Sequence, residues 1–149
     1  MYKHILIPTD GSALSDKAVE AAIKLAHVLG ARITAFHAME IYPLQGAYAA
    51  EASGVAELQP EIFAERSKEY AKRVLDAVAS AAAAANVQCA TDYAASSSPS
   101  KAIVEKAGKE NCDLIVMASH GRRGLEGFLL GSETQKVLTH SSIPVLVYR

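Results

Sequence analysis

Apolar residues along the chain come in two rhythms. Short unbroken runs alternate with longer stretches in which apolar residues return every three or four positions. Runs suit strands buried on both faces, and the three-four rhythm suits one face of a helix. "HILIPT" (residues 4–9) reads as a first strand, broken by Asp10, Gly11 and Ser12. From about Ala13 to Leu29, the positions Leu14, Ala18, Ala21, Ala22, Leu25, Ala26 and Leu29 mark a helical face, with Gly30 suited to the site just past a helix end. "ARITAFHAM" (31–39) is the second strand. Residues 40–59 have mixed periodicity with Pro43, Gly46 and Gly54, and a connection of that length is expected to be a lid or a contact surface. Pro60 fits the first turn of a helix that should run to about Ala85, with Ile62, Tyr70, Val74, Ala77 and Val78 among its inner residues and Asn86 ending it. "VQCATDY" (87–93) is the third strand. Ser98 as cap and Pro99 as first residue open a helix to about Glu110. "DLIVMAS" (113–119) is the fourth strand, residues 133–140 form a short helix, and Pro144 opens a last strand, "PVLVYR".

Five strands joined by helical crossovers predict an α/β fold, a parallel sheet with helices on both faces. In such sheets ligands bind beyond the carboxyl ends of the strands, where the strand order reverses. Two loops stand there: "PTDGS" after the first strand, and "ASHGRRGLEGFLLGSE" (118–133) after the fourth.

Composition narrows the picture. At 149 residues, half of them hydrophobic and 21% charged, the chain is expected to form one domain with a sizeable core. A net charge of −1 gives no field that would draw nucleic acid or a membrane surface. Cys89 and Cys112 lie far apart in no metal-binding spacing and are expected to be reduced, buried thiols. The start of the chain has no signal-peptide pattern, and no apolar run is long enough to span a bilayer, so a cytoplasmic protein is expected.

The loop after the fourth strand carries the candidate chemistry. Gly121, Gly124, Gly127 and Gly131 crowd it, with His120, Arg122 and Arg123 among them. Glycines let a phosphate approach the main chain closely, and the free amides of a following helix form an anion site. A glycine-rich loop is also a common plain connector, so phosphate binding and simple connection both stand. Ser132 reads either as a helix cap or as a phosphate contact. Asp10 reads either as a cap for the first helix, as Ser12 does too, or as a ligand contact. His37 reads as a core histidine. The chain has no G-x-x-x-x-G-K-[ST] and no G-x-G-x-x-G after its first strand, which argues against a P-loop and against a dinucleotide site. The five histidines show no metal-ligand spacing.

Over nearly its whole length the sequence resembles the universal stress protein family. "ILIPTDGS", "CDLIVMASHG" and "GRRGLEGFLLGSETQKVLTHSSIPVLVYR" carry the likeness. The nucleotide-binding branch of that family has G-x2-G-x9-G-[ST]. Here Gly121, Gly131 and Ser132 match, while the first glycine falls on Ala118. If that position demanded a positive φ, alanine would cost about 1 kcal/mol or more. If it demands only a small side chain, a methyl is tolerated, and the retained Gly121, Gly131 and Ser132 favour this second case.

The resemblance implies a Rossmann-like, adenine nucleotide alpha hydrolase-like sheet of order 3-2-1-4-5 and a homodimer. It implies ATP held between the turns after the first and fourth strands, compatible with Mg²⁺ carried by the phosphates. By position, Pro8, Thr9 and Asp10 would line the adenosine side, with Asp10 near the ribose. The main chain at Ala38 would meet the adenine, and Met117 and Ala118 would pack near the adenosine. Ser119, His120, Gly121, Arg122, Arg123, Gly124, Gly131, Ser132, Glu133 and Thr134 would surround the phosphates. The last strand, apolar and ending the chain, offers an edge that a second copy could cover by two-fold antiparallel pairing through Val145 to Tyr148.

Three functions compete. One is an ATP-binding regulator of stress resistance with slow or no hydrolysis. A second is an ATP hydrolase or phosphotransferase, which would need His120 or Glu133 to orient water at the γ-phosphate. The third is a dimeric interaction module that no longer binds nucleotide.

Overall fold

A computed structural model describes residues 1–41, 59–121 and 130–149. The connection at 42–58 and the loop at 122–129 lie outside the described residues. The elements in chain order are β1 (His4–Pro8), α1 (Ala13–Leu29), β2 (Arg32–Glu40), α2 (Pro60–Ala84), β3 (Cys89–Ser96), α3 (Pro99–Lys109), β4 (Leu114–Ala118), α4 (Ser132–His140) and β5 (Val145–Tyr148). The five strands pair in parallel in the order β3-β2-β1-β4-β5, the order that the family likeness implies.

The period-2 alternation of the central strands sorts the core into two layers. Ile5 and Ile7 of β1, Ile33 and Ala35 of β2, and Leu114 and Val116 of β4 pack under α1 and α2. The intervening Leu6, Phe36, Ile115 and Met117 pack with Ile103 and Ala107 of α3 and Val137 of α4. Helices therefore cover both faces, and β1 is fully enclosed through Ile5, Leu6 and Ile7.

Helix α1 starts where the sequence suggests. The Ser12 hydroxyl accepts from the Ser15 amide at 3.3 Å, and Gly30 closes the helix in the left-handed region with φ 62°. The face it buries is rotated from the expected one. Ala18, Ala22 and Ala26 are buried as anticipated, but their companions are Ser15, Val19 and Ile23, while Leu14, Ala21, Leu25 and Leu29 are half-buried. Small alanines spaced by four let the helix sit close to the sheet, and the branched residues beside them fill the gap to β1 and β4. In α2 the buried residues are Ala71, Leu75, Val78 and Ala82. Ile62, Tyr70 and Val74 are half-buried, and Ala77, expected inside, faces solvent.

Two boundaries move. β3 begins at Cys89 and runs to Ser96, later than expected at both ends, because pairing with β2 continues to Glu40↔Ser96. β5 begins after Pro144 and stops at Tyr148. Cys89 is half-buried and Cys112 buried, and both are free. Burial pushes the Cys112 thiol up to about 11, which makes it unreactive at neutral pH. Among the described residues no helix is long and apolar enough to cross a membrane.

His4 ties the amino ends of the strands to α3. Its Nδ1 lies 3.1 Å from the Glu110 carbonyl, which can only accept, so Nδ1 donates. Its Nε2 then accepts from the Thr34 hydroxyl at 2.8 Å. The neutral ring is satisfied at both nitrogens. Burial, with the Arg32 charge, holds its pKa below the ordinary 6.5. The unfolded chain takes up this proton as pH falls through 6.5, whereas the folded chain resists it. The His4 contribution is therefore complete above pH 6.5 and is lost as pH falls toward the depressed folded value. Thermal unfolding followed by circular dichroism should show the melting temperature dropping between pH 7 and 5. His4→Gln should melt lower at pH 7.5 yet lose less over that interval. An identical pH slope in the variant would show that His4 is not the titrating group.

Candidate functional site

The site is built where β1 and β4, neighbours in the sheet, send their chains to opposite faces. The turn after β1 is internally bonded. Thr9 is buried, and its amide continues the ladder to Phe36 O at 2.9 Å. Its hydroxyl accepts from the Gly11 amide at 3.2 Å and from the Ser15 hydroxyl at 2.9 Å. Asp10 Oδ1 accepts from the Ser12 amide at 3.0 Å. Ser12 thus caps α1, and Asp10 shapes the turn ahead of the cap. Pro8 and Asp10 are half-buried at the crevice.

The chain leaving β4 is fastened as firmly. The Ser119 amide donates to Tyr148 O at 2.7 Å, and the Ser119 carbonyl accepts from the Gly131 amide at 2.8 Å. The Thr134 hydroxyl, buried, donates to Ala118 O at 3.1 Å. The start of α4 is thereby locked to the end of β4. Gly131 is the N-cap of α4, and Ser132 is its first helical residue, so the serine is not the cap. By helix geometry the amides of Ser132, Glu133 and Thr134 have no intrahelical acceptor, and they carry the positive end of the helix dipole.

The two loops touch. A Cβ on Gly121 would collide with the Asp10 carboxylate oxygen, so glycine at 121 lets the Asp10 carboxylate keep its place against β4's loop, and any side chain there would displace it. A Cβ on Gly131 would stand 3.1 Å from His120 Cα and Cβ and 3.3 Å from Ser119 O. The glycines therefore make room. Ala118 needs no left-handed backbone: among the described residues, Asn86 and Asn111 are the non-glycine positions with positive φ. It is an ordinary strand residue registered against Tyr148, where a methyl fits.

Some expected contacts take other partners. Glu133 turns its carboxylate to α3: Oε2 accepts from the Ser100 amide at 2.8 Å, and Oε1 from Lys136 Nζ at 2.7 Å. Burial disfavours its charge, but these hydrogen bonds outweigh that and bring its pKa below the ordinary glutamate value. His120 shares a 3.1 Å hydrogen bond between Nδ1 and the Ser119 hydroxyl. Met117 is buried in the core beside Phe36. Ala38 is half-buried on β2 opposite Ala94. Arg122, Arg123 and Gly124 lie outside the described residues.

Sequence reasoning missed the residues that hold the β1 turn from behind. His37 Nδ1 donates to Thr9 O at 2.7 Å, and the Tyr70 hydroxyl donates to Asp10 O at 2.7 Å. The signals for them are an aromatic on the inner side of α2 and a histidine late in a buried strand. A separate cleft of about 340 Å³ between α2 and β3 is lined by Lys72, Asp76 and Asp92 among others, away from the strand ends. Among the described residues no group of three or more His, Cys, Asp or Glu is placed to hold a metal ion.

These features define a doubly wound α/β protein whose β1 and β4 turns meet where the strand order reverses. The model of the universal stress protein family matches residues 1–149, and the chain belongs to that family. It is 36% identical to universal stress protein MJ0531 of Methanocaldococcus jannaschii, over all of this chain and 83% of that protein. Its fold is similar to the solved structure of the protein MJ0577, with a TM-score of 0.81 and 26% identity over 99% of this chain and 96% of that one. It is also similar to a universal stress protein solved in complex with cAMP, with a TM-score of 0.71 and 25% identity over 99% and 97% of the two chains.

Proposed function

We propose that this chain binds ATP in the crevice between the β1 and β4 turns and acts as a regulator of stress resistance, with slow hydrolysis or none. The observation that carries the reading is the convergence of Asp10, Gly121 and Gly131 on one spot beside the open amides of α4. Amide donors suited to a phosphate and a carboxylate suited to a ribose hydroxyl stand at neighbouring turns, which supports this reading. The cAMP complex of the similar structure supports an adenine nucleotide as the ligand class. Mg²⁺ would come with the phosphates, since the described residues offer no protein-built cluster for it. Slow turnover is supported by the two side chains that could orient water. Glu133 is held by Ser100 and Lys136, and His120 Nδ1 by Ser119. Two free thiols, one of them buried, fit a reducing cytoplasm.

Freshly purified protein, denatured and analysed by mass spectrometry, should release adenine nucleotide. Protein that releases none, and that gives no heat with added Mg-ATP in isothermal titration, would end this reading in favour of the empty interaction module.

A second copy is proposed to pair along β5, as the exposed Leu146 on that edge strand suggests.

A further inference from the structure

The β1 turn is gripped by two side chains that the nucleotide reading leaves unused. His37, from β2, holds the Thr9 carbonyl, and Tyr70, from α2 and sixty residues beyond Asp10, holds the next carbonyl along the chain. Their rings meet at a centroid distance of 5.6 Å and an angle of 60°. The Arg73 guanidinium lies 5.2 Å from the Tyr70 ring centroid, one turn further along α2. Gly11 shows how tightly α2 presses on the turn. Its φ is +71°, and a Cβ there would stand 2.5 Å from the Tyr70 hydroxyl oxygen and 2.8 Å from Val74 Cγ2.

Capping does not require this grip, because Ser12 caps α1. The core does not require it either, because Tyr70 is half-buried and the first fully buried residue of α2 is Ala71. What the two bonds do fix is the peptide on each side of Asp10, and with it the place of the Asp10 carboxylate against Gly121. We infer that His37 and Tyr70 are positioning residues for the crevice, and that Tyr70 couples the amino-terminal half of α2 to its occupation; the inference rests on the nucleotide reading above. Coupling is reciprocal: if the seat of α2 favours bound nucleotide, bound nucleotide must steady α2 by the same factor.

The test uses the full chain and Mg-ATP as the probe. Tyr70→Phe removes one hydroxyl and should weaken affinity about fivefold, the share of one hydrogen bond. Amide exchange supplies the second readout. In the parent, Mg-ATP should slow exchange over residues 62–74. In Tyr70→Phe that protection should vanish while protection at 131–134 remains. His37→Asn, which keeps a donor near the Nδ1 position, should retain affinity better than His37→Leu. Equal affinity in Tyr70→Phe with α2 protected as in the parent overturns the inference, as does a lower melting temperature with unchanged affinity. A parent protein that takes up no nucleotide overturns the functional reading instead. The grip is then judged without ligand: faster exchange of residues 9–12 in Tyr70→Phe supports it, and unchanged exchange overturns it.

Discussion

Gly131→Val is expected to weaken binding of Mg-ATP by about 100-fold or more while leaving the protein folded. Gly131 has φ −59° and ψ 147°, a conformation open to any residue, so the substitution brings no backbone strain. Its effect is one of space. The added Cβ would lie 3.1 Å from His120 and 3.3 Å from Ser119 O, so the neighbours must yield by a few tenths of an ångström. The two branched methyls then stand over the open amides of α4, the proposed seat of the phosphates. Hydrogen bonds to charged groups contribute about 1.5–3 kcal/mol each, so blocking two of them accounts for the expected loss. Isothermal titration measures it, and Gly131→Ala should fall between parent and Val. A Val variant that binds as the parent does would remove the phosphates from this end of the sheet.

Where the sequence was legible, burial was the reason. β1 and β4 are enclosed on both faces, so each is an apolar run bounded by breakers, and the loops that meet at the candidate site are the breaks themselves. β3 was legible in kind but not in extent. Residues 90, 91, 92, 94 and 95 are exposed, so the strand leaves little apolar signal, and its ends are set by its partner β2. The α1 face was read with the right period and a rotated centre, because Val19 and Ile23 are placed by the sheet beneath and not by spacing alone. At the site, Gly121 and Gly131 were legible as glycines, and their purpose as room-makers required the neighbouring loop. The partner of Glu133 is an amide 33 residues away, and Tyr70 reaches back 60. Such bonds follow from how the helices lie on the sheet, which no local pattern encodes.

Leu146→Lys should turn a dimer into a monomer. Of the two edge strands among the described residues, β3 is guarded and β5 is not. On β3, Asp92 is exposed and bonded to Lys106 at 2.6 Å, and a charge on an edge discourages pairing. On β5, Leu146 is 41% exposed, and Val145, Val147 and Tyr148 are half-buried. The carbonyls of Pro144 and Tyr148 accept from Ile115 and Ser119 of the β4 side. In a parallel ladder the intervening Val145 and Val147 therefore turn their amide and carbonyl groups outward, ready for another strand. Two-fold antiparallel pairing would satisfy both copies at once and bring the two Leu146 side chains close together. A lysine there sets like charges against each other, which costs several kcal/mol and weakens association by about 100-fold or more. Light scattering should find the parent at twice the 15.8 kDa chain mass and Leu146→Lys at that mass alone. Ala94→Lys, on the exposed edge of β3, should remain a dimer. A monomeric parent, or dissociation by Ala94→Lys instead of Leu146→Lys, would show that β5 is not the pairing edge.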